Sequence, residues 1–126
     1  MRLVIGGRYN GKLNYVMEKY HYSENDIING NEINIHKPQY KKVINNYHLF
    51  IKKLLENNID SIKITTEVLK NSNIQTIICD ELGGGIVPLD EFDRIYIDTV
   101  GICCQIISKH SSSVERIYFG IPLIIK

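Results

Sequence analysis

Ile74 to Cys79 is a β-branched run that ends abruptly in Asp80-Glu81, then in Gly83-Gly84-Gly85 and Pro88. A strand without polar alternation is buried on both faces, which is the environment of a central strand in a parallel sheet. Parallel strands need crossover connections, and helices are the usual crossover, so this segment commits the chain to an α/β architecture. It also fixes where chemistry can sit. A carboxylate pair at the carboxyl end of such a strand stands where open α/β sheets bind ligands.

A second strand-to-turn transition lies near the start. Arg2 to Ile5 is a short apolar run ended by Gly6-Gly7, and Lys12 to Tyr20 carries Leu13, Val16, Met17 and Tyr20 at helical spacing. Between them, Gly6-Gly7-Arg8-Tyr9-Asn10-Gly11-Lys12 matches the first seven positions of the phosphate-loop pattern. Glycines let the backbone curl so that successive N–H groups face one anion, and a helix N-terminus adds partial positive charge. Lys12 would neutralise the outer phosphates. The eighth position is Leu13, which has no hydroxyl for a magnesium ion. Asn10-Gly11 is also a hairpin dipeptide, so an antiparallel strand pair is the competing reading of the same residues.

The remaining elements are read from periodicity. A helix is expected over Gln39 to Asn57, with Val43, Ile44, Tyr47, Phe50, Ile51, Leu54 and Leu55 on one face. A second is expected over Thr65 to Asn71, capped by Thr65 or Thr66, and a long one over Leu89 to His110. Extended pieces are expected near Asp26 to Ile28, at Val114 to Phe119 and at Ile121 to Ile125. The sum is one domain, residues 1 to 126. It is a three-layer α/β fold with a mostly parallel central sheet of the P-loop/RecA-like type and a C-terminal strand pair.

Composition narrows the partners. A formal net charge of +1 gives no global field toward nucleic acid or anionic membranes, so anion binding must be local. No stretch approaches the ~20 apolar residues of a membrane span, and the first apolar run is too short for a signal peptide. Cys79, Cys103 and Cys104 have no metal-ligand spacing and read as small buried hydrophobes. A reducing cytoplasm is the expected setting.

The segment from Asp80 to Pro88 resembles the Asn-Glu-Val-Gly-x-Gly-Ile-Val-Pro stretch of the adenosylcobinamide kinase/adenosylcobinamide-phosphate guanylyltransferase family of cobalamin assembly. Arg94-x-Tyr96-x-Asp98-x-x-Gly101-x-x-x-Gln105 is similar to that family's Arg-x-Phe-Arg-Asp-x-x-Gly-x-x-Asn-Gln segment. Gly120-Ile121-Pro122-Leu123 with Lys126 is similar to its Gly-Ile-Pro-Leu…Lys ending, and Gly6 to Lys12 stands where the family carries its phosphate loop. The resemblance covers residues 1 to 20 and 74 to 126. It implies phosphorylation of the aminopropanol hydroxyl of adenosylcobinamide, then transfer of GMP from GTP through a guanylylated histidine. It further implies GTP or ATP as substrate with Mg2+, a corrinoid as second substrate, and a homo-oligomer, specifically a trimer.

Carried over by position, Gly6, Gly7, Arg8, Tyr9, Asn10, Gly11 and Lys12 would bind nucleotide. Lys12 and Glu81 would act in catalysis, and Asp80 and Glu81 would stand beside a metal. The chain departs from the family pattern at Leu13, at Ile97 (an arginine in the family) and in its shorter length. A strand ending in the family's Asp-Cys-Leu is not evident. The histidine segment, His then Arg-Pro, Trp and Glu, is echoed only by His36-Lys37-Pro38 with Tyr40. His48 has two readings: a nucleophile facing the site, or a core-edge histidine on an amphipathic helix.

Overall fold

The computed structural model describes residues 1–83 and 90–126. β1 (Arg2–Gly6) leads through a loop into α1 (Lys12–Tyr20), and a single 3-10 turn then precedes β2 (Ile27–Asn29). Next come β3 (Val43–Asn45), α2 (Tyr47–Glu56), α3 (Ser61–Val68) and β4 (Thr76–Asp80). α4 (Glu91–His110), β5 (Ser113–Tyr118) and β6 (Ile121–Ile124) complete the chain. The sheet runs β2-β3-β4-β1-β5-β6; the first five strands pair in parallel, and β6 returns antiparallel to β5. The expected α/β sheet with its C-terminal strand pair is therefore what the chain forms.

Side chains alternate across the sheet and make two cores. Leu3, Ile44, Ile77, Cys79 and Val114 face α2, α3 and α4. Val4, Val43, Ile78 and Ile117 face α1, where Val16 is fully buried. Both faces are thus covered, as an unalternated β4 requires. The acidic strand end and the glycine loop are neighbours because β1 and β4 pair directly, with Gly6 opposite Asp80.

The stretch read as one helix, Gln39 to Asn57, divides. Val43–Asn45 is a strand between β2 and β4, and the helix begins only at Tyr47. Asn46 between them is left-handed, at φ 54° and ψ 51°. Val43 and Ile44 satisfy a helical stripe on paper, but their β-branched side chains point to opposite faces of the sheet. The helix expected at Thr65 to Asn71 starts earlier, at Ser61, because Asp60 accepts from the N–H groups of Ile62 and Lys63. Thr65 is not a cap. It is fully buried, with its hydroxyl 2.8 Å from that of Tyr47. The long helix runs Glu91–His110, capped by Asp90; the expectation at Leu89, like the Gly84-to-Pro88 loop, lies outside the described residues.

Candidate functional site

The residues after β1 form a loop and then a helix, not a hairpin. Tyr9 (φ 64°) and Gly11 (φ 80°) take left-handed conformations, and Asn10 N–H donates to the Gly7 carbonyl at 3.3 Å. Gly11 stands at the N-cap of α1 without a side-chain acceptor, and the first turn has no acidic residue. The opening N–H groups of a helix have no partner within it, so this end is free to receive an anion. The turn between β5 and β6 braces the loop, with Gly120 N–H donating to the Asn10 carbonyl at 2.8 Å.

Lys12 lies across this loop and is 7% exposed. Its Nζ donates to the Gly7 carbonyl at 2.8 Å and sits 2.7 Å from Asp80 Oδ1. His48 holds the other side of Asp80. Its Nε2 is 3.4 Å from Oδ2, and its Nδ1 accepts the Asp80 backbone N–H at 3.1 Å. An Nδ1 that accepts is unprotonated, so the imidazole proton belongs on Nε2, facing the carboxylate. The Tyr96 hydroxyl donates to the His48 carbonyl at 2.9 Å and ties this corner to α4. Lys12, Asp80 and His48 form one buried chain of contacts across α1, β4 and α2.

Burial lowers the pKa of His48 from its ordinary value; Lys12 and Arg8 lower it further, while Asp80 opposes them. The unfolded chain therefore takes up a proton near pH 6.5 before the folded one does. Stability should fall as pH drops from neutral through that value, by at most about 1.4 kcal/mol per pH unit for this one group. Urea midpoints for wild type and His48→Gln across this range should show a shallower pH slope in the variant. Equal slopes would mean that His48 is not held neutral.

A cleft of about 590 Å³ opens over this chain of contacts. Arg8, Tyr9, Asn10, Gly11, Lys12, His48, Asp80 and Glu81 all line it; Gly6, the last residue of β1, and Gly7, whose carbonyl accepts from Lys12, are not among its lining residues. Its far wall adds Asn45, Asn46 and Leu49, which the sequence reading missed because a helical period had absorbed them. The signal available was Val43-Ile44 followed by two asparagines, a β-branched pair and then a residue type that tolerates the left-handed region. Asn45 ends the parallel strand β3, and Asn46 and Leu49 open α2. Glu81 follows β4, its N–H donating to the Gly6 carbonyl at 2.9 Å. One of its oxygens, Oε2, takes both Nε (3.0 Å) and an NH2 nitrogen (2.9 Å) of Arg116.

The donor set does not fit a magnesium ion gripped by the protein itself. Leu13 has no oxygen and packs against the Val4–Val16 core. Both Asp80 oxygens face cationic or N–H groups, and one Glu81 oxygen is engaged by Arg116. Among the described residues no three His, Cys, Asp or Glu side chains cluster to hold a metal. Magnesium that enters bound to phosphate and water needs few protein ligands. Triphosphate affinity measured by calorimetry should therefore change by no more than about threefold when magnesium is replaced by a chelator. A much larger loss would reveal a protein ligand that this arrangement lacks.

A family model described as cobinamide kinase / cobinamide phosphate guanyltransferase matches residues 30–125. The match takes in the middle of the chain, β3 and α2 included, and the strand end at Asp80-Glu81; residues 1 to 20 lie outside it. A comparison with curated proteins returned no match. Among the described residues no helix is long and apolar enough to cross a membrane.

Proposed function

The chain belongs to the cobinamide kinase / cobinamide phosphate guanyltransferase family, and on that premise we propose that it binds GTP or ATP on the Gly6–Lys12 loop and transfers a phosphoryl group to the cobinamide hydroxyl. The family's role is cobalamin biosynthesis, and its chemistry is that of a nucleotide-dependent transferase. The observation that carries the reading is the buried 2.7 Å contact between Lys12 and Asp80 beneath the cleft. An arriving phosphate competes for the Lys12 ammonium. As Lys12 turns to it, Asp80 Oδ1 is released to accept the proton of the attacking hydroxyl. Arg8, Lys12 and the N-terminus of α1 offset the charge of the transferring group. In this reading Glu81 stands beside the nucleotide, steadied by Arg116, and His48 holds Asp80 in position.

The guanylyl step needs a histidine nitrogen with a free lone pair. Both nitrogens of His48 are engaged by Asp80, so His48 is the poorer nucleophile and His36 the other candidate. The same fact, together with Leu13, favours a second reading: a nucleotide-binding relative without turnover that acts as a binding or assembly subunit. Incubation with labelled GTP and magnesium, followed by denaturing electrophoresis and a cobinamide phosphorylation assay, separates the two. Phosphorylated cobinamide supports the kinase reading. Acid-labile label on the protein, lost in His36→Gln or His48→Gln, adds the guanylyl step. Nucleotide binding with neither product leaves the binding subunit.

Assembly as a homo-oligomer, a trimer in the family pattern, belongs to the same proposal. It is supported by the apolar side chains that the β5–β6 edge leaves exposed, among them Phe119, Ile121, Leu123 and Ile124. Light scattering on the purified protein should give a mass three times that of one chain; a monomer would count against it.

A further inference from the structure

Cys79 and Cys104 are far apart in sequence, yet their sulfurs lie 3.6 Å from each other between β4 and α4. Neither is bonded to another cysteine. Cys79 is fully buried and immediately precedes Asp80. Cys104 is half-buried and lines a cavity of about 360 Å³ together with Ile5, Gly101 and Arg116. Gly101 lies one helical turn before Cys104, where a side chain would cover it, and a Cβ added there would meet nothing within 4 Å. One sulfur is therefore reachable by a small solute, and the second waits directly behind it.

We propose that Cys79 and Cys104 form a modification site at which hydrogen peroxide closes a reversible disulfide. The sulfur of Cys104 attacks one peroxide oxygen; an S–O bond forms, the O–O bond breaks, and the departing oxygen leaves as water with the thiol proton. Cys104 is then a sulfenic acid and the peroxide has been reduced. The sulfur of Cys79 attacks the sulfenic sulfur, the S–S bond forms, and the second oxygen departs as water with the Cys79 proton. Two thiols and one hydrogen peroxide thus give one disulfide and two waters. Closing the pair draws the sulfurs from 3.6 Å to the ~2.05 Å of a bond, which fastens the end of β4, next to Asp80, to α4.

Cys103 supplies the internal control. It is fully buried, and its sulfur takes the Thr65 hydroxyl at 3.4 Å and lies 3.9 Å from the Ser61 carbonyl, on the α3 side of the helix. The full chain should be treated with stoichiometric hydrogen peroxide, alkylated, digested without reduction and read by mass spectrometry. The expected result is a peptide pair joined through Cys79 and Cys104, lacking two hydrogens and released by dithiothreitol. It should persist in Cys103→Ser and vanish in Cys104→Ser. Cys104 carried on to sulfinic acid while Cys79 remains alkylatable would overturn the proposal. So would a disulfide that uses Cys103 or joins two chains.

Discussion

Replacing Lys12 with alanine should weaken triphosphate binding at least tenfold, about 1.4 kcal/mol or more, and should also destabilise the fold. The two effects share one geometry. Lys12 is almost fully buried, and its ammonium is held by the Gly7 carbonyl and Asp80. Removing it takes away a buried cation of the cleft and strands a carboxylate that is 12% exposed, with His48 its remaining ion-pair partner among the described residues. Breaking one partner out of a buried ion pair costs about 3–5 kcal/mol, most of it the penalty of the charge left behind. The stability effect can be separated from the binding effect. Adding Asp80→Asn to Lys12→Ala removes the stranded charge and should restore much of the stability, while nucleotide affinity stays lost. Lys12→Ala that binds GTP as wild type does, by calorimetry, would contradict the role given to the loop.

Gly30→Ala should destabilise the protein by about 3 kcal/mol, at the upper end of what overpacking costs. Gly30 lies in the 3-10 turn Gly30–Glu32 that packs on the start of α2. A Cβ there would run into the Asn46 carbonyl oxygen and come within 3.0 Å of the Phe50 backbone nitrogen. Both obstacles are backbone, which cannot swing aside as a side chain end does. Relief requires moving the segment that carries Asn46 and His48, so triphosphate binding should weaken as well. Urea denaturation reads the first effect and calorimetry the second. A midpoint equal to wild type would show that the turn has room that its packing denies.

Strand β4 and the loop after β1 were legible because they follow different local rules that converge on one place. An unalternated β-branched run reads as a doubly covered strand; the glycine-bounded turn reads equally as a hairpin or as an anion-binding loop, and the family resemblance downstream favours the loop. That they are neighbours is not written in either segment. It follows from the pairing of Gly6 with Asp80, which depends on how the whole sheet is ordered. The middle of the chain was misread for a physical reason. Val43 and Ile44 fit a helical stripe as well as a strand, and only the left-handed Asn46, set by packing, divides them. His48 was placed on its helix and near the apolar stripe, but its grip on both the backbone and the side chain of Asp80 needs coordinates of two distant elements. The Cys79–Cys104 approach has the same origin, since spacing along the chain does not encode a contact between a strand and a helix.

The most direct test of the site is a crystal structure of the chain with a non-hydrolysable GTP analogue. Phosphate oxygens should lie against the N-terminus of α1, with Lys12 Nζ moved from Asp80 onto one of them. A nucleotide bound elsewhere, with Lys12 still on Asp80, would contradict the assignment.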